Sequence, residues 1–291
     1  MLVVIAGGTG RLGTAVAGRL VGAGHRVRVF SRGLSPRPSH LDPRVEVAVA
    51  DVRDPASLTP VLTGASVVVS AIQGFVGQGG ATPANTDRDG NIALIDAAHA
   101  VGADVVLVSM VGASPGSPME LARAKAAAEE HLRGSGAAWT IVRSDAFVQA
   151  WVALLGQTAG RDGRPVVFGR ADNPVAWVDV EDVADLVATA VLDRSLRGRT
   201  LEVCGPERLT LMQLAQAVMR RRGVAGRPRR VPRPVLHVAA RTVGVVRPVL
   251  GRQMRAALAM DVVPPADDAT TRAEFPDLAG RGASEVLGLV R

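Results

Sequence analysis

Residues 2–13 read LVVIAGGTGRLG, a short apolar run followed by glycines at three-residue intervals. The apolar run predicts a buried strand, and the helical spacing of Val16 and Leu20 after it predicts a helix. A strand that leads through glycines into a helix presents backbone N–H groups and the positive end of the helix dipole to a diphosphate. The alternative is a turn that only lets the helix pack closely on the strand. We predict a dinucleotide site with contacts at Gly7, Thr9, Gly10, Arg11, Leu12 and Gly13.

The end of the second predicted strand, residues 25–30, indicates which dinucleotide is bound. A carboxylate at this place would bind the ribose hydroxyls and favour NAD. The chain has Ser31 and Arg32 instead, with Arg11 as a second cation. A guanidinium beside a hydroxyl suits a 2′-phosphate, so the predicted cofactor is NADP(H). The alternative is that Arg32 only begins the Pro- and Ser-rich loop 33–43.

The alternation of apolar runs and amphipathic segments continues beyond the second strand. Strands are predicted at 45–49, 66–72, 104–109 and 139–142, with helices at 55–62, 86–101 and 118–134. This order predicts an α/β fold with a doubly wound parallel sheet. The glycine-rich loop 73–83 falls at the carboxyl edge of that sheet, where ligands bind.

Two further cofactor contacts are predicted at the same edge. Asp51 and Val52 follow the third strand, and Ala71 lies near the end of the fourth. Asp51 either accepts a hydrogen bond from the adenine amino group, with Val52 packed on the ring, or caps the turn that follows. The sequence leaves both interpretations open.

Composition places the chain in a broad class. Of its 291 residues, 47% are apolar and 21% are charged, as in an ordinary soluble globular protein. No signal peptide or membrane-spanning run is visible, and the single cysteine, Cys204, excludes an intramolecular disulfide. These features predict a cytoplasmic protein. No metal site is expected, because the five histidines are scattered and none lies at ligand spacing with the acidic residues.

One lysine stands among 34 basic residues, at Lys125. Because the chain has arginine at all its other Lys or Arg positions, the lysine at 125 indicates a need for a compact ammonium. A bulky guanidinium does not provide one. The alternative is a solvated lysine on a helix surface. Tyrosine is absent from the chain.

Several motifs together resemble the atypical short-chain dehydrogenase/reductase family, in its NmrA-like, NAD(P)H-binding branch. The resemblance covers residues 1 to about 220 and rests on residues 7–13, Asp51-Val52, Asp87-x-x-Gly90-Asn91, 106–109, Lys125-x-x-x-Glu129, 139–143, 177–184 and 205–207. It implies a Rossmann-type sheet and a smaller, mostly C-terminal substrate lobe. The expected division is 1–145 plus 175–204 for the NAD(P)-binding domain and 146–174 plus 205–291 for the lobe.

The resemblance also implies the catalytic residues. The family's usual pair is a tyrosine four residues before a lysine; the lysine position is Lys125, but the tyrosine position is Leu121. The family's serine or threonine position falls on Val111 or Gly112, which leaves Ser109 and Ser114 as nearby hydroxyls. We therefore predict Lys125 and Ser109 as catalytic, with Lys125 on the nicotinamide ribose or acting as the acid itself.

Three functions remain compatible with these residues. The first is an NADPH-dependent reductase of a carbonyl, quinone or enone small molecule in an apolar pocket. The second is a non-catalytic NADP(H)-sensing regulator, and the third a non-redox cyclase, isomerase or dehydratase. An apolar patch at helical spacing predicts the pocket wall or part of the core: Phe147, Val148, Trp151 and Leu154, with Phe168 in the loop beyond.

The C-terminal third is strongly basic. No acidic residue occurs between 208 and 260, and eleven arginines lie between 220 and 255. This segment predicts a lid or the subunit surface of a homo-oligomer. The alternatives are a membrane surface or another phosphate-rich partner, an acidic substrate, and a face that is only solvated. Nucleic acid is disfavoured, because the segment lacks aromatic side chains for stacking.

Overall fold

The computed structural model describes residues 1–34, 36–75, 77–262, 266, 268–276, 278 and 280–289. Residues 35 and 76, in the predicted loops 33–43 and 73–83, lie outside the described residues. The chain forms two compact units. The first contains Met1–Ser117, Leu121–Arg143 and Val183–Glu202; the second contains Pro118–Glu120, Ser144–Asp182 and Val203–Arg291. Among the described residues, no helix combines the length and apolarity needed to cross a bilayer.

The described residues form eleven strands and eleven α-helices. The strands are β1 (Leu2–Ala6), β2 (Arg26–Ser31), β3 (Glu46–Val49), β4 (Val67–Ser70), β5 (Asp104–Met110), β6 (Trp139–Ser144), β7 (Val166–Phe168), β8 (Pro174–Ala176), β9 (Arg199–Val203), β10 (Arg208–Thr210) and β11 (Arg229–Val231). The helices are α1 (Arg11–Gly22), α2 (Leu58–Leu62), α3 (Asp89–Ala100), α4 (Glu120–Gly134), α5 (Val148–Thr158), α6 (Val180–Leu192), α7 (Leu211–Arg221), α8 (Arg233–Val246), α9 (Pro248–Met260), α10 (Ala269–Glu274) and α11 (Ala283–Val286).

The sheet of the first unit has the strand order β3-β2-β1-β4-β5-β6-β9. The pairings of β1 with β2 and β4, of β2 with β3 and of β4 with β5 are parallel. All five residues of β1 are buried, as expected of a central strand covered on both faces. The strand order reverses between β1 and β4, the place where doubly wound sheets bind their ligands. The predicted α/β class and doubly wound sheet are confirmed.

Apolar side chains of the sheet and its helices form one core of the first unit. Phe30, Leu94 and Leu132 are at most 1% exposed and belong to the same cluster. The sequence pattern predicts Ile92 on the inner face of α3, but Ile92 is half-buried and Leu94 takes that place. Asn91, a polar residue that hydropathy alone assigns to the surface, is fully buried on this face.

The second unit contains two small sheets and most of the later helices. Strand β8 pairs antiparallel with β10, and β11 pairs parallel with β7. Trp177 is fully buried in the core of this unit, with its ring edge-on to Trp151 at 5.4 Å. Because β8 pairs with β10, residues 175–182 belong to this compact unit, whereas the predicted division assigns them to the first.

Candidate coenzyme-binding site

The turn from β1 into α1 has no room for side chains at Gly7 and Gly13. Gly7 has φ +75°, and a Cβ there would lie 2.7 Å from the Ala71 carbonyl oxygen. A Cβ on Gly13 would lie 2.5 Å from the Gly7 carbonyl oxygen and from Gly8 Cα. Both distances are shorter than a carbon atom tolerates, so side chains at these positions would displace the turn. The glycine pattern therefore brings the turn backbone close against α1 and β4.

The first turn of α1 offers its backbone N–H groups to an anion. Its N-cap residue, Gly10, has no side chain, and the first turn contains no acidic residue. The Thr14 hydroxyl holds the turn closed by donating to the carbonyl oxygens of Gly10 at 2.7 Å and Gly8 at 3.3 Å. A helix N-terminus without a side-chain cap binds phosphate through its amides and its dipole. This cradle fits the diphosphate predicted from the sequence.

The cation predicted to select the coenzyme lies at the end of β2. Arg32 donates from Nη1 to the Gln78 carbonyl oxygen at 2.6 Å. Within the described part of the chain, its guanidinium forms no ion pair with a carboxylate. Ser31 is half-buried beside it, and Arg11 is exposed at the start of α1. Arg32 therefore keeps donors that a phosphate can use.

Asp51 caps its own turn in this structure. Its carboxylate accepts from the backbone N–H of Arg53 at 3.0 Å and from Arg53 Nη2 at 2.6 Å. The Arg53 guanidinium lowers the pKa of Asp51. Val52 is buried against Gly90, where a Cβ would lie 2.6 Å from it. The turn-capping interpretation thus matches the geometry, and the adenine contact stays a prediction.

Sequence reasoning missed Arg53. Besides holding Asp51, Arg53 donates from Nη1 to the Gly79 carbonyl oxygen at 2.8 Å. Arg32 and Arg53 together therefore hold the loop Gln78–Gly80 at the carboxyl edge of the sheet. The available signal was a second arginine just after a strand that ends at the same edge as β2.

Lys125 lies at 5% exposure and is surrounded by oxygen atoms. Its Nζ is 3.0 Å from the Ile72 carbonyl oxygen, 3.2 Å from that of Val108 and 3.1 Å from Asp87 Oδ1. An ammonium has three N–H donors, and three oxygens are within reach. The alternative of a solvated surface lysine is therefore wrong. The predicted roles of Lys125 on the nicotinamide ribose and as an acid stay predictions.

The carboxylate partner of Lys125 was not predicted as a site residue. Asp87 is fully buried, and its Oδ2 accepts from the Gly74 backbone N–H at 2.8 Å. Its carbonyl oxygen accepts from Asn91 Nδ2 at 2.8 Å, and Asn91 accepts in turn from the Ser70 hydroxyl at 2.5 Å. The motif Asp87-x-x-Gly90-Asn91 was the available signal, because two polar residues before an apolar helix face need buried partners.

Ser109 lies at 4% exposure beside the carboxylate of Glu129, within a buried ionic cluster. Arg143 donates to Glu129 from Nε at 2.9 Å and Nη2 at 2.7 Å, and Arg133 from Nη2 at 2.9 Å. Burial alone would raise the pKa of Glu129, but Arg143, Ser109 and Arg133 outweigh it and lower the pKa. The predicted catalytic role of Ser109 stays a prediction.

The predicted apolar patch of the lobe divides between core and cavity. Val148 is fully buried in the core of the second unit. Trp151 and Phe168 line a cavity in that unit. Its other lining residues are Ala171, Asn173, Val175, Leu211, Ala257, Met260 and Asp261. Most of these side chains are apolar, and the cavity is a candidate pocket for an apolar group.

Acidic residues around the start of α6 act as hydrogen-bond acceptors. Asp179 accepts from the Glu181 backbone N–H at 2.9 Å, and Asp182 accepts from the Arg281 backbone N–H at 3.0 Å. Burial raises the pKa of Asp182. In the described residues, no group of three or more His, Cys, Asp or Glu side chains has an arrangement suited to a metal ion.

The basic segment also carries exposed apolar side chains. On α8, Val235, Val238 and Val246 are 54%, 64% and 82% exposed. Arg241 is exposed on the same helix. A surface of this kind suits a lid, a subunit contact or a membrane surface. These three roles stay predictions.

Comparisons with known proteins agree with the coenzyme cradle. A family model described as NAD(P)H-binding matches residues 7–194. The chain is 28% identical over 230 residues to the NAD(P)H azoreductase of Xenophilus azovorans, covering 78% of this chain and 75% of that protein. It is 31% identical over 232 residues to the (4-alkanoyl-5-oxo-2,5-dihydrofuran-3-yl)methyl phosphate reductase of Streptomyces griseus subsp. griseus, covering 79% and 76%.

A solved structure shows the same fold. The NADPH-dependent quinone oxidoreductase of Escherichia coli, in complex with NADPH, superimposes with a TM-score of 0.79 at 22% identity, covering 98% of each chain. The similar reductases and the matching family model support a nicotinamide cofactor and NAD(P)H-dependent reduction. The chain therefore belongs to the NAD(P)H-binding family, within the atypical short-chain dehydrogenases/reductases.

Proposed function

We propose that this protein is an NADPH-dependent reductase of a conjugated small molecule, such as a quinone, an enone, a carbonyl or an azo compound. The observation that carries the proposal is Arg32, whose guanidinium forms no ion pair among the described residues, at the strand end that follows the phosphate cradle. A 2′-phosphate is the group that such a guanidinium binds well.

The names of three similar proteins support the proposed substrate class. One is an azoreductase, one reduces a dihydrofuran phosphate ester and one is a quinone oxidoreductase. Azo compounds, conjugated carbonyl compounds and quinones all accept a hydride at an electron-poor double bond. We therefore place the substrate of this chain in the same chemical class.

A bound reduced nicotinamide would supply the hydride, and the chain's own residues do the remaining work. Leu121 occupies the position of the usual tyrosine, and Lys125 donates to the carbonyl oxygens of Ile72 and Val108 and lies 3.1 Å from Asp87 Oδ1. These contacts hold the loop after β4 and the end of β5, and Lys125 or water delivers the proton. Gly13 and Arg32 would hold the coenzyme at its diphosphate and its 2′-phosphate.

Replacing Arg32 with alanine should weaken NADPH binding by about 10- to 100-fold, since hydrogen bonds to charged groups contribute roughly 1.5–3 kcal/mol. NADH binding should change much less, because NADH lacks the 2′-phosphate. Fluorescence titration of both coenzymes measures the two affinities. Arg26→Ala is the matched control, because Arg26 is exposed at the opposite end of the same strand. An equal loss for both coenzymes would show that Arg32 only holds the loop.

Purified protein should oxidise NADPH when offered menadione or methyl red, which represent quinones and azo compounds. The measurement is the decrease of NADPH absorbance, compared with the same mixture without protein. The absence of tyrosine favours a second candidate, a non-catalytic NADP(H) sensor. Tight NADPH binding without turnover of either acceptor would select the sensor.

A further inference from the structure

Arg252, on α9, is a buried arginine whose guanidinium is largely without acceptors in the described part of the chain. The residue is 7% exposed, and its Nε and Nη2 atoms are buried without a hydrogen-bond partner among the described residues. Arg255, one turn further along the same helix, is exposed. Arg252 thus differs from a solvated arginine of the basic segment.

No ion pair of Arg252 with a carboxylate is found among the described residues. No acidic residue occurs between 208 and 260. Asp261, at the end of the helix, accepts from the backbone N–H groups of Arg170 at 2.9 Å and Ala171 at 3.2 Å, and lies 3.5 Å from Arg233 Nη1. The carboxylate that follows α9 is therefore already bound to other groups.

Burying a charged guanidinium without hydrogen-bond acceptors destabilises the folded protein. Arginine does not lose its proton in proteins, so it cannot escape the cost of burial by becoming neutral. Buried charges are normally paired, and those that are not require an explanation. An anion that arrives with a ligand is the simplest partner for such a group.

The positions of Nε and Nη2 in the Arg252 guanidinium determine the shape of the anion that they can bind. Nε and Nη2 lie on one edge of the guanidinium and donate in parallel to two oxygens of one planar or tetrahedral anion. The same edge of Arg143 binds Glu129 in this protein, with Nε at 2.9 Å and Nη2 at 2.7 Å. Arg252 therefore presents a fork of the type that binds a carboxylate or a phosphate.

We propose that Arg252 is an anion-binding site of the second unit and takes a carboxylate or a phosphate. The proposal goes beyond the reductase function proposed above and does not depend on it. It assigns anion binding to one arginine of the basic segment and none to the exposed Arg255.

Thermal unfolding of the full chain tests the proposal, with saturating NADPH present so that coenzyme phosphates occupy their own site. Inorganic phosphate and benzoate are added at constant ionic strength, with chloride as the reference. Each anion that binds should raise the unfolding midpoint of the wild-type protein. Arg252→Met should abolish that rise, whereas Arg255→Met should keep it. A response to phosphate alone indicates a phosphate ester, and a response to benzoate alone indicates a carboxylate.

The unfolding midpoint of Arg252→Met without added anion also distinguishes an anion-binding arginine from a structural one. Without added anion, Arg252→Met should raise the midpoint by roughly 2–4 °C, because it removes a buried charge that has no ion-pair partner among the described residues. A lower midpoint, or failure of this variant to fold, would mean that Arg252 has a structural partner and would overturn the proposal. So would a wild-type protein that responds to neither anion, or an Arg252→Met variant that still responds. Failure of NADPH to bind, measured separately by titration, would instead refute the proposed function.

Discussion

Replacing Lys125 with methionine should lower the free energy of unfolding by about 3–5 kcal/mol. The substitution removes the ammonium that lies 3.1 Å from Asp87, a fully buried carboxylate. It also removes the donors to the carbonyl oxygens of Ile72 and Val108. Removing one partner of a buried ion pair is costly because the other charge stays in a medium that solvates it poorly. Urea denaturation monitored by circular dichroism measures the loss.

The control is a double-mutant cycle with Asp87→Asn. The double variant should be more stable than the sum of the single losses predicts, by about 0.5–3 kcal/mol, because it contains neither charge. Additive losses would show that Lys125 and Asp87 do not interact energetically. The same variants separate positioning from catalysis: if Lys125 were the proton donor, Lys125→Met would lower turnover of folded enzyme with an altered pH profile.

Replacing Gly13 with alanine should weaken coenzyme binding by about 10- to 100-fold, since overpacking of this kind costs roughly 1–3 kcal/mol. The new Cβ would lie 2.5 Å from the Gly7 carbonyl oxygen, so the turn must move away from α1. Such movement displaces the amides that bind the diphosphate. Titration with NADPH and with NADH should show the same loss, because both contain this diphosphate.

Gly18→Ala is the matched control for Gly13→Ala. Gly18 lies on the same helix, and a Cβ there would meet nothing within 4 Å. This variant should bind the coenzyme normally and should gain about 0.5–1 kcal/mol of stability from the lower conformational entropy of its unfolded chain. Unchanged binding by Gly13→Ala would show that the turn does not depend on close backbone contact.

The special role of Lys125 could be predicted in part from amino-acid composition. Its status as the single lysine predicted a position that needs a compact ammonium. The structure supplies the reason, because three oxygens converge on one nitrogen atom, which a planar guanidinium cannot imitate. The sequence did not identify those oxygens, which come from residues 53, 38 and 17 positions earlier in the chain.

The sequence by itself determined the strand, turn and helix at residues 2–22, the α/β class and the NAD(P)H-binding family. Each of these depends on local patterns, namely the apolar period of a strand or helix and the glycines of a tight turn. Tertiary structure alone decided that Arg53 holds Gly79, that Asp87 pairs with Lys125 and that Nε and Nη2 of Arg252 are buried without an acceptor among the described residues. These relations join elements distant in the chain, and side-chain packing, which has no sequence period, determines which polar groups meet.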